Sequence, residues 1–240
     1  MSGRRSIYRA DLHLHSCLSP CGSLDSSPTR IAQRAASLGL DLIALTDHNS
    51  ALNCPTFARA CHAHGIVPLF GLEATSTEEV HCLCLFEGVE ESLELGRLLY
   101  QHLPEIPNIP EISGDQVFVD EGETIIGSVE KQLTAAASLS MDQIAAYVLD
   151  LNGLFIPAHI DRYVNSVSSQ LGFLPEAPYS AVEVTKNPCP VDTRAYPVVT
   201  NSDAHYLHDI GIRFTSFEAR AATFEGYAAA LREGRVKPHF

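Results

Sequence analysis

His13 and His15 stand two residues apart in Ala10-Asp11-Leu12-His13-Leu14-His15, just after the apolar pair Ile7-Tyr8. In a strand, residues two apart project to the same side, about 6–7 Å apart along the backbone. Two imidazoles placed in this way can grip one metal ion. By itself the pair carries little weight, because structural or surface histidines read the same way. Its weight comes from later apolar runs that carry the same kind of residue. Asp47-His48 follows residues 41–46, Glu73 follows 66–72, and His81 lies within 80–86. His159 follows 154–158, and Asp203-Ala204-His205 follows 197–200. Mixed imidazole and carboxylate donors suit zinc, manganese or iron. The candidates outnumber what one ion can use, which points to two or three metals bridged by a carboxylate. Glu73 is the natural bridge. Such centres suit phosphate ester hydrolysis: the ions generate hydroxide at neutral pH, orient the phosphate and stabilise the leaving oxygen.

The elements that must hold these residues alternate. Residues 7–13 read as a strand. Ser27-Pro28 is an N-cap with proline at the first helical position, and Gly39 ends that helix. Residues 41–46 form a continuous apolar strand, as expected where both faces are covered. A helix over 55–64 is stopped by Gly65, and strands follow at 66–72 and 80–86. This is the pattern of parallel β-α units, whose chemistry sits at C-terminal strand ends. A helix is expected at 89–102. Residues 104–130, with Pro104, Pro107 and Pro110, read as an irregular excursion holding short strands at 116–120 and 124–126. Residues 131–139 are expected to be helical. Ser140 and Gln143 form a capping box opening a helix to about 151 that Gly153 closes. Strands at 154–158, 181–184 and 197–200 and a helix at 223–233 complete one domain over 1–240.

The net charge is −13 with histidine neutral, which argues against a passive nucleic-acid binder. A small phosphorylated substrate remains compatible, because bound cations invert the local charge. The seven cysteines show no paired zinc-clip spacing and read as free thiols in a reducing compartment. The basic start Met1-Ser2-Gly3-Arg4-Arg5 leads into a strand pattern instead of an apolar signal core. No apolar run approaches the ~20 residues of a membrane span. A soluble cytoplasmic protein is expected, with no membrane partner and no stable nucleic-acid binding.

The motifs His13-Leu14-His15, Thr46-Asp47-His48, Pro157-Ala158-His159 and Asp203-Ala204-His205, with Glu73 and His81 between them, resemble in order those of the PHP (polymerase and histidinol phosphatase) family of metal-dependent phosphoesterases. The resemblance spans residues 11–205. It implies an α/β fold, a distorted (β/α)7 barrel with the metal site at the C-terminal strand ends, and a trinuclear centre of zinc, manganese or iron. Carried over by position, His13, His15, Glu73 and Asp203 serve the deep metals. His48, His81, His159 and His205 complete the other positions, and Asp47 orients a neighbouring histidine. One stretch departs from the family: in the loop at 16–25, Pro20 stands where an Asp ligand is usual. Asp25 is the preferred substitute for the remaining metal ligand, and Cys21 the alternative. This loop resembles a less characterised branch, distinct from typical histidinol phosphatases.

His159, His205 and Asp203 are the expected catalytic residues, with one of the two histidines protonating the leaving alcohol. Arg162 and Lys186 are the expected phosphate-binding residues, and Tyr206 and His208 could border the pocket. The expected activity is hydrolysis of a small phosphate monoester through a metal-activated hydroxide. The alternatives are a phosphodiesterase acting on a cyclic phosphate or short nucleotide, and a non-catalytic module stabilised by metal. An amidohydrolase would instead show a mid-chain lysine bridge and a lone late aspartate.

Overall fold

The computed structural model describes residues 4–240. The elements run β1 (Ser6–Leu14), α1 (Pro28–Ser37), β2 (Leu42–Leu45), α2 (Cys54–His64), β3 (Val67–Thr75), β4 (His81–Phe86) and α3 (Val89–His102). There follow α4 (Pro110–Ser113), β5 (Val117–Val119), β6 (Ile125–Ser128), α5 (Met141–Asp150), β7 (Leu154–Pro157) and α6 (Val167–Gln170). The chain ends with β8 (Val182–Glu183), β9 (Val198–Val199), β10 (Phe214–Ala219), α7 (Phe224–Arg232) and β11 (Val236–His239). The expected punctuation is present. Ser27 accepts from the Arg30 N–H, Gly65 is a left-handed C-cap, and Ser140 and Gln143 form a reciprocal capping box. α5, however, ends on Asn152 in the left-handed region (φ 58°), and Gly153 is needed because a Cβ there would meet Phe86 and Val148.

β1, β2 and β3 are parallel, as alternating β-α units require. β4 is antiparallel to both β3 and β7. Only a short turn separates β3 from β4, and a parallel crossover needs a dozen residues or more. The hairpin register pairs Thr75 with His81, so His81 opens its strand yet lies at the same end as the exit of β3. β8 and β9 close the ring. Ser180 and Ile160 bond across β7 and β8 (Ser180 N–H to Phe155 O, Ile160 N–H to Glu183 O, both 2.9 Å). The other side joins β1 through His15 N–H to Ala204 O (2.9 Å) and Ala204 N–H to His13 O (3.2 Å). Strands β1, β2, β3, β4, β7, β8 and β9 thus form a distorted seven-stranded barrel. The lower half of the same β1 edge, Ser6 to Ala10, pairs with β10, which in turn pairs with β11.

One apolar cluster fills the barrel, with Leu12, Leu69, Leu83, Ile156 and Val199, and is closed below by Tyr227 of α7. A second lies between the strands and the outer helices, with Leu14, Ile43, Phe57, Phe70, Leu95 and Ile144. Leu12 and Leu14 fall in different clusters because the β1–β2 register slips between Asp11 and Leu14. A bulge of this kind re-aims side chains, and here it sits beneath His13. Close packing of β3 on β4 depends on Gly71, whose added Cβ would lie 2.2 Å from the Cys84 carbonyl oxygen. Gly71→Ala is expected to cost about 1–3 kcal/mol, as overpacking does, read as a shift in the denaturant midpoint.

Residues 131–139 are turns, not a helix. Their backbone groups are bonded elsewhere: Leu133 N–H to Gln116 Oε1 (2.7 Å), Ala137 N–H to Thr75 O (2.9 Å) and Ser138 N–H to His102 O (2.9 Å). Asn49 Nδ2 also donates to the Leu133 and Ala135 carbonyls, at 2.7 and 3.0 Å. A helix would have to satisfy those groups internally. The β5–β6 hairpin docks on the loop after β1 and on α2, through Val117 N–H to Cys17 O (3.1 Å) and Val119 N–H to Asn53 Oδ1 (3.0 Å). Among the described residues no helix is long and apolar enough to cross a membrane.

Candidate metal centre

The strand ends converge on Glu73, which is buried near the end of β3. Its Oε1 lies 2.8 Å from His81 Nδ1, 3.1 Å from His159 Nε2 and 3.3 Å from His13 Nε2. Its Oε2 lies 3.0 Å from His48 Nδ1 and 3.4 Å from His15 Nε2. Asp203 Oδ1 is 3.3 Å from both His13 Nε2 and His15 Nε2. The His205 ring stacks on His15 with centroids 4.3 Å apart. Three donor sets have their ligand atoms within 4.8 Å of one another: His13/His15/Asp203, His48/Glu73/His81 and His15/His48/His205. Three residues at this rim have a positive φ, Asn49 (49°), His159 (31°) and Asp203 (56°). Such strain is retained where the surroundings over-determine a side-chain position.

These donors fit divalent cations. The buried nitrogens His13 Nε2, His15 Nε2, His48 Nδ1 and His159 Nδ1 lack hydrogen-bond partners. Three of them sit close to a carboxylate oxygen without the alignment of a hydrogen bond. Leaving such groups unpaired is costly, and a cation between nitrogen and carboxylate satisfies both. The charges are tightly coupled. Burial raises the Glu73 carboxyl, but the His81, His13 and His48 charges hold it well below the usual range. Burial lowers His48, yet Glu73 and Cys21 bring it up to about 10.

An outer set of bonds fixes which nitrogen of each ring faces the cluster. Ser19 Oγ donates to Asp47 Oδ1 (2.7 Å) and lies 2.9 Å from His15 Nδ1. It also accepts from the His48 backbone N–H at 3.2 Å. With its one proton given to Asp47, Ser19 accepts from His15 Nδ1–H and leaves the Nε2 lone pair free. Asp47 also accepts from the Ser16 N–H (2.7 Å) and the Ser16 hydroxyl (2.6 Å), so it orients His15 through Ser19. His13 Nδ1 lies 3.1 and 3.2 Å from the two oxygens of Glu183. Glu183 also accepts from the His159 N–H (2.9 Å) and from Asn201 Nδ2 (2.8 Å). Carboxylate–histidine pairs of this kind orient metal-binding rings. Glu183 is absent from the residues the sequence singled out. The available signal was a lone carboxylate inside the apolar run Ala181-Val182-Glu183-Val184.

The structure thus brings together His13, His15, His48, Glu73, His81, His159, Asp203 and His205. Asp25 does not join them. Its side chain is 75% exposed and pairs with Arg30 Nη1 at 2.5 Å, in the first turn of α1. The loop turns earlier, at 19–22, with Ser23 N–H bonded to the His205 carbonyl oxygen (3.0 Å) and Cys21 exposed. Burial raises the Cys21 thiol, but the neighbouring His205 and His48 outweigh this and bring it to about 7. Arg162 Nη1 hydrogen-bonds Asp203 Oδ2 at 2.5 Å and is exposed at the rim. Lys186 Nζ lies 4.8 Å from the centre of the Tyr163 ring, and Tyr206 stacks on His208 at 5.6 Å.

A PHP domain family model matches residues 11–136, more than half of the chain, and a PHP-associated model matches residues 191–236. The chain belongs to the PHP domain family. Over 70 residues this PHP chain is 39% identical to an error-prone DNA polymerase of Nocardia farcinica, covering 29% of the chain and 6% of the polymerase. The chain spans at most 25% of the length of the curated relatives it matches. Among solved structures it is similar to the lesion-specific endonuclease PfuEndoQ of Pyrococcus furiosus. That match has TM-score 0.68 and 20% identity, over 97% of this chain and 58% of that one. It is also similar to a two-domain Bacteroides vulgatus protein containing a predicted PHP-like metal-dependent phosphoesterase. There the TM-score is 0.59 and the identity 15%, over 98% of this chain and 65% of that one. At these identities the likeness to solved structures concerns the fold.

Proposed function

We propose that this PHP protein is a metal-dependent phosphoesterase that hydrolyses a small phosphate monoester. The observation that supports this reading is the set of buried, unpartnered imidazole nitrogens around Glu73 and Asp203 at the barrel mouth. His13, His15, Glu73 and Asp203 would hold the deep positions, with Glu73 bridging. His48, His81, His159 and His205 would complete a centre of three divalent ions, zinc, manganese or iron. Such ions, when bound, supply Lewis acidity to the phosphate and a hydroxide nucleophile at neutral pH.

The protein's own part is to orient the phosphate. Arg162, fixed by Asp203, and Lys186, on the face of Tyr163, are the donors available to the outer phosphate oxygens. Of the two histidines His205 is the more open, its side chain 24% exposed against 2% for His159, but its Nδ1–H is bonded to the Asp203 carbonyl oxygen (2.9 Å), so with Nε2 given to a metal the leaving alcohol would take its proton from water at the rim. The seven unpaired thiols favour a reducing compartment such as the cytoplasm.

A second reading, hydrolysis of a phosphodiester in nucleic acid, is favoured by the likeness to an endonuclease, and net charge −13 opposes it. The test is one panel on metal-loaded protein: phosphate monoesters, cyclic phosphodiesters, short oligonucleotides and a duplex with an abasic site. Fastest turnover on a monoester is expected. Turnover confined to the oligonucleotides or the duplex would overturn the monoester reading, and no hydrolysis of any ester would overturn the phosphoesterase reading. Arg162→Ala, which removes no metal donor, with normal metal content and stability but lost turnover would exclude a purely structural metal centre.

A further inference from the structure

The loop after His48 carries two asparagines four residues apart, Asn49 and Asn53, and both are fully buried. A buried amide has donors and an acceptor that must all find partners. Both side chains find them on the barrel side and on residues 104–139, the excursion and the turns that follow it.

Asn49 stands between β3 and the turns. Its Oδ1 accepts from the Thr75 N–H (3.0 Å), and its Nδ2 donates to the Leu133 and Ala135 carbonyls (2.7 and 3.0 Å). Its own N–H bonds the Glu73 carbonyl oxygen (3.0 Å). Asn49 is therefore tied to each donor of the set His48/Glu73/His81. The chain joins it to His48, its N–H to Glu73, and Thr75 to His81, the residue paired with Thr75 across the hairpin. Asn53 makes the second connection. Its Oδ1 accepts from the Val119 N–H (3.0 Å), and its Nδ2 donates to the Val117 carbonyl (3.4 Å) and to Ser16 Oγ (2.9 Å). Ser16 Oγ donates to Asp47 Oδ2, and Asp47 orients His15 through Ser19.

We propose that residues 104–139 are a positioning element of the metal centre, latched to it by Asn49 and Asn53, a role that rests on the reading of this cluster as a metal centre. Two features separate it from ordinary packing. Asn49 is held at φ 49°, a region that disfavours side chains, and its three side-chain bonds compensate for that. The segment also has anchors that reach no metal donor. Thr56 Oγ1 donates to the Val119 carbonyl (2.8 Å), and Gln116 Oε1 accepts from the Leu133 N–H (2.7 Å). Coupling between two sites is reciprocal, so a segment that positions the donors must itself be steadied when metal binds.

Asn49→Gly keeps the positive φ and the N–H bond to Glu73 but removes the three side-chain bonds. Asn53→Ala removes the bridge from the hairpin to Ser16. Each is expected to weaken zinc binding about 10-fold, the lower end of the range for outer partners of metal ligands, measured by chelator competition on folded protein. Thr56→Val removes a hairpin bond that reaches no donor and is expected to bind zinc as wild type does. In wild type, zinc is expected to slow hydrogen exchange at the Val119 and Leu133 amides. Asn53→Ala is expected to lose that protection at Val119, and Asn49→Gly at Leu133. None of these readouts is turnover, so they stand apart from the choice of ester. Wild-type zinc affinity in both asparagine variants, or an equal loss in Thr56→Val, overturns the positioning role and leaves the metal centre standing. Failure of the wild type to bind zinc at all overturns the centre, and this role with it.

Discussion

Glu73→Gln is expected to cut metal content and lower kcat/KM on the best ester by more than ~100-fold, beyond what losing an outer orienting partner produces. The substitution keeps the shape and removes one charge. That charge faces five imidazole nitrogens within 3.4 Å: those of His13, His15, His48, His81 and His159. An amide also cannot bridge two cations with two anionic oxygens, and its NH2 would confront rings that present lone pairs. Elemental analysis after gel filtration, beside steady-state rates, checks both halves. The metal-free protein should show a second signature. The Glu73 carboxyl is held low by the neighbouring histidines, so it contributes stability above the unfolded carboxyl pKa that is lost as pH falls through the folded one. Glu73→Gln should remove that acid-side dependence. Unchanged metal content in Glu73→Gln would sink its placement as the bridge.

Much of this donor cluster is legible in the sequence because ligand chemistry needs particular residue types, and those types interrupt otherwise apolar runs. Asp47-His48, His159 and Asp203-Ala204-His205 each follow a strand whose burial is visible in its composition. Pairing direction is less legible. The run at 80–86 reads as one more parallel strand until the brevity of the turn before it is weighed, and His81 then opens an antiparallel strand. Loops are least legible. Spacing allows either Asp25 or Cys21 to reach the cluster, and Asp25 is turned away from it by Arg30, in the first turn of α1. The short run 131–139 has helical composition, yet its donors and acceptors are claimed by Gln116, Asn49, Thr75 and His102. β10 and β11 escape notice because β10 alternates buried and part-exposed residues and β11 is short and mostly polar.

Glu183→Gln is expected to weaken metal binding about 10–100-fold, the range for outer partners of metal-binding histidines, although Glu183 is not counted among the metal donors. All three of its partners are donors: the His159 backbone N–H, Asn201 Nδ2 and His13 Nδ1. Only an acceptor-only side chain satisfies them all. Glutamine has one acceptor oxygen, and the fixed His159 N–H takes it. Its NH2 then stands against Asn201 and His13. Asn201 cannot reverse freely, because its Oδ1 accepts from the Leu12 N–H at 2.8 Å. His13 keeps one oxygen at 3.1 Å but meets an NH2 in place of the other, which favours the tautomer that accepts at Nδ1 and carries its proton on Nε2, the nitrogen that faces Glu73 and Asp203. A ring in that tautomer cannot donate a lone pair to a metal. The same substitution leaves a buried donor mispaired, costing about 1–3 kcal/mol of stability. Loss of stability alone would be shared by any damaged strand, so the deciding readouts are chelator competition on folded protein and the nitrogen chemical shifts of His13. A Glu183→Gln protein with wild-type metal affinity and an unchanged His13 tautomer would show that Glu183 only packs the strand.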